Sequence, residues 1–312
     1  MKIGVDLGGT NTVVGLCTDT GELLGKRSTP TRTGDADGLL ADMHRLALAV
    51  CEDQGVKPEA VCQVGIGVPG SFDKSTCTLT FGTNLRMNEV SFGHAFTPEF
   101  TCPVYLDNDA NCAALGEYIG GAGRGVRNMV MITLGTGLGG GLILDGKLYI
   151  GENGIAGEIG HMVVEYNGAQ CNCGRRGCWE TYASATGMIR LAKDELARGG
   201  ESLLNAMAAE NGGRLMAKMV CDARDAGDIL ADAVFQKYVG YLACGINNMI
   251  AILQPEKVVI GGGLAGYGDK LLAPVRALVK RDLMQADCRQ AEIVLGALGN
   301  DAGIIGAAML AC

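Results

Sequence analysis

No run of apolar residues in this chain is long enough to cross a bilayer. A spanning helix needs roughly 18 or more consecutive apolar residues, and Gly, Asp, Asn or Lys interrupts every candidate. A membrane partner is therefore not expected. Charge is scarce as well, at 19% of the 312 residues, and its balance has the wrong sign for nucleic acid. The 26 Lys and Arg against 34 Asp and Glu leave a net charge of −8. Without a global basic field, a general nucleic-acid binder is excluded. An anion such as ATP stays compatible, held by local backbone donors and a metal. The opening MKIGVDLGGT lacks the basic segment, apolar stretch and cleavage site of a secretory leader, so a cytoplasmic location is expected. Pro-rich, Ser-rich and charge-run linkers are missing too.

What is present is enough for about two self-sufficient domains, since 48% of the residues are hydrophobic. Most of the 13 cysteines stand singly in apolar segments, among them Cys17, Cys51, Cys62 and Cys244. There cysteine is expected to act as a small buried hydrophobe rather than as half of a disulfide. Glycine is the compositional outlier, with 49 residues.

The glycines mark an internal repeat. VDLGGTNTVVGL from Val5 and ITLGTGLGGGLI from Ile132 align without a gap, and each reads as strand, glycine turn, strand. Two related α/β domains gripping one ligand are expected. Residues 35–54 carry a helical stripe of Leu39, Leu40, Met43, Leu46, Ala47 and Val50 that stops at Gly55. Residues 61–70 read as a buried strand entering a tight turn, and 104–106 as a short strand before a helix opening at Asn108 or Asp109. Helices over 183–197 and 227–253, strands at 257–260 and 293–295, and a small-residue helix over about 301–312 complete the pattern. We place one lobe at 1–118, with the last helix packing back on it, and the other at 119–300. The glycine-rich stretch 120–125 lies at the crossing.

Three glycine corners carry chemistry. DLGGTN, residues 6–11, puts a carboxylate at a strand end before a turn whose backbone N–H groups can approach phosphate oxygens. Asp6 is placed for a Mg²⁺ shell, and a plain hairpin turn is the alternative reading. LGTGLGGG, residues 134–141, has more glycine than a hairpin needs, and GGGLAG, residues 261–266, follows another buried strand. No GK[ST] follows to make a Walker A loop, and TVVGL after the first corner reads as strand, unlike a dinucleotide fingerprint. A different nucleotide clamp is implied. In LDNDAN, one of Asn108 and Asp109 caps the following helix, and Asp109 is the candidate general base for a hydroxyl attacking a phosphoryl group.

The metal signal is sharper. His161, Cys171, Cys173 and Cys178 are four soft ligands within 18 residues, the set that tetrahedral zinc prefers. Glu158 and Glu180 bracket that loop, so a metal fixing it would fix both carboxylates. His44, on the polar side of a helix, and His94, in a loop, carry no such signal.

Taken in order, GVDLGGTN, GVPG, DNDAN, LGTGLGGG, GEIGH, CNCGRRGCWE, IGGG and GNDAGIIGAA resemble the ROK family (repressor, open reading frame, kinase) of sugar kinases along essentially the whole chain. The resemblance implies a two-lobed, actin-like (ribonuclease-H-like) α/β ATPase fold with a zinc-stapled loop, taking ATP, Mg²⁺ and a hexose. It implies phosphate binding by Asp6, Gly8, Gly9, Thr10, Asn11, Gly135, Thr136 and Gly137, with Gly261, Gly262 and Gly263 near the nucleotide. Asp109 matches the base. Gly70, Asn84, Asn108, Asp109, Glu158, His161 and Glu180 match sugar-binding positions, and His161, Cys171, Cys173 and Cys178 match the structural Zn²⁺ ligands. His161 then serves twice, one ring nitrogen on zinc and the other toward a sugar hydroxyl. Family resemblance also suggests a homodimer or homotetramer.

The CNCG form of the zinc loop is similar to the glucokinase and N-acyl-hexosamine kinase branches, whereas fructokinases resemble CPxH there. The activity implied is ATP-dependent phosphorylation of the glucose 6-hydroxyl; N-acetylmannosamine, N-acetylglucosamine and allose are the alternative substrates. Arg86 and Met87 stand where a glucokinase of the family is expected to have a nearby tryptophan. A non-catalytic sugar-sensing regulator is the reading from another class. Asp6 arrives too early for a preceding helix-turn-helix, which argues for the enzyme.

Overall fold

The computed structural model describes residues 1–284 and 290–310. The chain opens with β1 (Lys2–Leu7), β2 (Asn11–Cys17), β3 (Leu23–Pro30), α1 (Ala36–Asp53), β4 (Gln63–Val68), β5 (Ser71–Asp73), β6 (Thr78–Phe81) and β7 (Val90–Ser91). β8 (Val104–Asn108) then leads into α2 (Asp109–Gly120), followed by β9 (Met129–Leu134), β10 (Leu138–Leu144) and β11 (Lys147–Leu148). The helical stretch comprises α3 (Glu180–Ala183), α4 (Ala185–Leu196), α5 (Leu203–Glu210), α6 (Ala217–Asp225) and α7 (Ile229–Leu253). β12 (Lys257–Gly261), α8 (Asp269–Arg281), β13 (Glu292–Leu295) and α9 (Ala302–Ala308) close the chain. Residues 311–312 of the expected last helix lie outside the described residues.

Two compact units result. The first comprises residues 1–127, 141–156 and 297–312, and the second residues 128–140 and 157–296. Each glycine-cornered repeat opens a five-stranded mixed α/β sheet. The first has the order β3-β2-β1-β4-β8 and the second β11-β10-β9-β12-β13.

In the first unit, β1 pairs antiparallel with β2 and parallel with β4, which pairs parallel with β8. Strands buried on both faces explain the near-continuous apolar runs. Alternation along β1 sorts the faces: Ile3, Val5 and Leu7 join the core with Leu39, Met43, Leu46, Ala47 and Val50 of α1. The even position Gly4 lies under α9 instead. Contact there is backbone to backbone, because a Cβ on Gly65 would sit 1.7 Å from the Ala307 carbonyl oxygen. Glycine is therefore required where α9 crosses the sheet. Asp35 starts α1, its carboxylate accepting from the Gly38 N–H at 3.0 Å.

A three-stranded sheet, β5-β6-β7, has no counterpart in the sequence expectations. Its alternation is too short to read, yet Leu79, Leu85, Val90 and Phe92 bury into the same core. Among the described residues no helix is long and apolar enough to cross a membrane.

In the second unit, β12 pairs parallel with β9 and with β13. Val234, Phe235, Tyr238, Leu242 and Ile246 of α7 are all fully buried. The helix expected over 183–197 is α4, Ala185–Leu196, and Ser184 separates it from the short α3 before it. Its buried hydroxyl accepts from the Gly187 N–H at 3.0 Å and so caps α4 instead of continuing α3.

One expectation is corrected. Cys62 and Cys244 are exposed, while Cys17 and Cys51 are buried, and all four are free thiols. An apolar sequence neighbourhood does not say which face a single residue takes. His44, on the polar side of α1, is half-buried: its ring meets Phe100 edge-on and its Nε2 lies 3.0 Å from Glu99.

Candidate active site and metal centre

In the first unit, β1 delivers Asp6 and the chain turns through Gly8, Gly9 and Thr10 to Asn11 at the start of β2. The turn is braced from below. Thr31 Oγ1 donates to the Gly8 carbonyl at 2.7 Å and pairs with Thr12 Oγ1 at 3.0 Å, and the Thr31 N–H donates to the Thr10 carbonyl at 2.8 Å. Among the described residues, the N–H groups of Gly9 and Thr10 make no turn-closing backbone bond, which suits an anion site. Asp6 is largely buried, and loss of hydration pushes its carboxyl pKa from 3.8 up to about 6. A buried carboxyl with that shift is one that a cation would ionise. Asn84 belongs to the same unit and comes close: its Cβ is 3.4 Å from where a side chain on Gly9 would begin. Gly70 turns the chain between β4 and β5 with φ of +119°.

Asn108, not Asp109, caps α2. Its side-chain oxygen accepts from the N–H groups of Ala110 at 2.8 Å and Asn111 at 3.3 Å. That assignment leaves Asp109 as the first helical residue. Beneath it lies a carboxylate that the sequence reading passed over. Asp107 is 3% exposed and accepts from the Asn108 N–H at 2.8 Å, from Asn111 Nδ2 at 2.9 Å and from the Lys74 ammonium. The Cys112 thiol is fully buried beside these groups. Burial, then the charges of Asp107, Asp109 and Asp6, push its pKa well above the usual value. It is an inert core thiol.

In the second unit, Gly135, Thr136 and Gly137 join β9 to β10. Glu180, the first residue of α3, lies against this turn, and its Oε2 accepts from the Leu138 N–H at 3.1 Å. A Cβ on Gly137 would fall 2.2 Å from the same oxygen, so only glycine lets the carboxylate in. Gly261 ends β12, and Gly262 and Gly263 follow it.

His161, Cys171, Cys173 and Cys178 converge, with one ligand atom from each lying within 4.8 Å of all the others. His161 Nδ1 is 3.7 Å from Cys171 Sγ, and Cys173 Sγ is 3.6 Å from Cys178 Sγ. Tetrahedral zinc, with bonds of about 2.3 Å to sulfur and about 2.0 Å to nitrogen, sets ligand-to-ligand edges of roughly 3.5–3.8 Å. The donor set therefore fits Zn²⁺ in both chemistry and spacing. With Nδ1 toward the sulfurs, His161 Nε2 turns outward, 4.0 Å from Glu158 Oε2. Trp179, the single tryptophan, is fully buried next to Cys178, its indole N–H donating to the Tyr241 carbonyl at 2.8 Å.

Residues 2–312 match the model of the ROK family. The chain belongs to the ROK family. A glucokinase of Halalkalibacterium halodurans is 40% identical over 310 residues, covering 99% of this chain and 94% of that protein. A glucokinase of Thermotoga maritima is 39% identical over 311 residues, covering 99% and 96%. Among solved structures, a ROK family glucokinase from Streptomyces griseus in complex with glucose and AMPPNP matches with a TM-score of 0.81 and 33% identity. It covers 99% of this chain and 98% of that one. The ROK fold expected from the ordered motifs is therefore the fold observed, down to the His and Cys cluster.

Of the expected residues, Asp6, Gly8, Gly9, Asn84, Asn108 and Asp109 belong to the first unit, where Asn84 approaches Gly9, and Gly137, Glu180 and the His and Cys cluster to the second, where Glu180 meets Gly137. Lys74, Asp107 and Thr31 are the additions. Asp107 stands in the same LDNDAN string as its neighbours, so the signal was present, but only burial distinguishes its role from theirs.

Proposed function

We propose that this protein is an ATP-dependent glucokinase that transfers the γ-phosphoryl group to the glucose 6-hydroxyl. The observation that carries this reading is the full-length likeness to two glucokinases; the retained Asp109 and both glycine turns support it. Asp109 is the general base: its carboxylate takes the 6-hydroxyl proton as that oxygen attacks the γ-phosphorus. The bond from the γ-phosphorus to the bridging oxygen breaks and ADP leaves. N–H groups of the 8–11 and 135–137 turns stabilise charge on the phosphates, and Gly261, Gly262 and Gly263 line the nucleotide. Asp6 is the carboxylate that holds the Mg²⁺ shell; the ion, when bound with ATP, neutralises phosphate charge.

Gly70, Asn84, Asn108, Glu158, His161 and Glu180 are the sugar-contacting residues alongside Asp109. A zinc on His161 Nδ1 leaves Nε2 to meet a sugar hydroxyl, with Glu158 as its neighbour. The test is an ADP-release assay with ATP and Mg²⁺ across glucose, mannose, allose, N-acetylglucosamine and N-acetylmannosamine, with the product's phosphate position assigned. Selective formation of glucose 6-phosphate is expected. Preference for an N-acyl-hexosamine would correct the substrate and keep the mechanism. No turnover with any sugar would replace the enzyme by a sugar-sensing protein.

A further inference from the structure

Three polar backbone groups of the 135–138 turn are taken up by one short segment, while the Gly135 N–H donates to the Gly137 carbonyl at 3.0 Å within the turn. The Gly135 carbonyl accepts from the Ala185 N–H at 2.9 Å, and the Thr136 carbonyl from Thr186 Oγ1 at 2.7 Å. The Leu138 N–H donates to Glu180 at 3.1 Å. That segment begins on the metal cluster: Cys178 is a ligand, and Glu180 Oε1 lies 3.8 Å from Cys171 Sγ. It is anchored in between, since the Trp179 indole is hydrogen-bonded to the Tyr241 carbonyl and Thr181 Oγ1 donates to the Cys178 carbonyl at 2.6 Å.

We propose that Glu180 and Thr186 are positioning residues that fasten the 135–138 turn to the metal loop, so that metal occupancy governs nucleotide affinity as well as sugar affinity. This rests on the reading of that turn as a phosphate-binding element. Two of its three bonds to the segment are accepted by carbonyls, which orients the peptide planes and turns their N–H groups the other way. Loss of the metal frees Cys171 and Cys178, and Glu180 loses the neighbour that fixes its rotamer. The Leu138 N–H and the Gly137 slot then lose their fixed partner. Thr186 acts at the far end. Its side chain is exposed and caps nothing in α4, so its hydroxyl has one specific task, the Thr136 carbonyl.

Calorimetry with a non-hydrolysable ATP analogue plus Mg²⁺, and separately with glucose, tests this on the zinc-loaded protein. Thr186→Val is expected to weaken analogue binding about three- to fivefold, the loss of one hydrogen bond. Glucose binding and the zinc content should stay unchanged, and Thr186→Ser should restore the analogue's affinity. Chelation of zinc is expected to weaken both ligands, with Trp179 emission reporting release of the loop and far-ultraviolet circular dichroism reporting retained fold. Equal analogue affinity in Thr186→Val and the parent would overturn the proposal, as would an equal loss of both ligands in Thr186→Val or an analogue affinity that chelation leaves unchanged. A parent protein that binds no analogue and phosphorylates no hexose would overturn the phosphate-turn reading itself, a separate outcome.

Discussion

Lys74, on the turn after β5, donates its ammonium to the buried carboxylate of Asp107 at the end of β8. Through Asp107 it reaches the Asn108 N–H and Asn111, the residues on either side of Asp109 and its helix start. A short hairpin that no sequence pattern announced thus neutralises the one carboxylate buried under the proposed base. Lys74→Met leaves that charge with two hydrogen bonds and no counter-ion. Because Lys74 is about one-third exposed, the cost should fall below that of a fully buried pair, at about 2 kcal/mol. Urea unfolding measures it, and an unchanged midpoint would refute the role.

Asp109→Asn removes the proposed proton acceptor and keeps the shape of the helix start. Turnover should fall by at least about a hundredfold while glucose affinity changes little. Steady-state kinetics with calorimetry separates the two effects, and near-normal turnover would remove Asp109 from the base position.

Cys173→Ser replaces an exposed ligand of the cluster, so its effect on the core is small and its effect on the metal direct. The parent protein should carry one zinc per chain by elemental analysis. The variant should lose it and bind glucose more weakly. A parent without stoichiometric zinc would end the structural-metal reading.

Asp6 ties stability to pH. Its folded pKa, about 6, lies above its ordinary 3.8, so the fold favours the protonated form. The penalty for ionising it is absent below pH 3.8, grows from there to about pH 6, and levels off above. A shift of this size corresponds to about 3 kcal/mol at the plateau. Asp6→Asn should therefore stabilise the nucleotide-free protein at pH 7.5, gain progressively less toward pH 4, and abolish turnover. Equal gains at both pH values would show that burial of charge is not the cause.

Glu117, 1% exposed in α2, accepts from the N–H groups of Ala122 at 2.8 Å, Ala297 at 3.0 Å and Leu298 at 2.8 Å. Glu117→Ala leaves three donors without their acceptor and should cost about 3 kcal/mol or more. Glu117→Gln, which keeps an acceptor oxygen, should cost less. Urea denaturation of the pair checks both the size and the order of the effects.

Much of this protein was legible in one sequence because its chemistry sits in contiguous strings. Glycine corners declare where backbone must face a ligand, and LDNDAN declares a strand end feeding a helix cap. The four soft residues lie so close along the chain that a loop alone brings them together, and the periodicity of residues 35–54 marked α1, whose Asp35 cap the structure adds. These features are local: spacing of a few residues fixes which atoms meet, whatever the rest of the chain does.

What the tertiary structure decided depends on separations that no local pattern encodes. Lys74 finds Asp107, Thr31 finds the Gly8 turn and Thr186 finds Thr136 only after strands distant in sequence pair in register. Cys62 and Cys244 looked like core residues and are exposed, because which face of an element is buried is settled by what packs on it. The sequence by itself determined the family, the glycine corners and the His and Cys cluster. Folding decided which polar groups are buried, and burial, by stripping water from Asp6, Asp107 and Glu117, gives each carboxylate a distinct physical role.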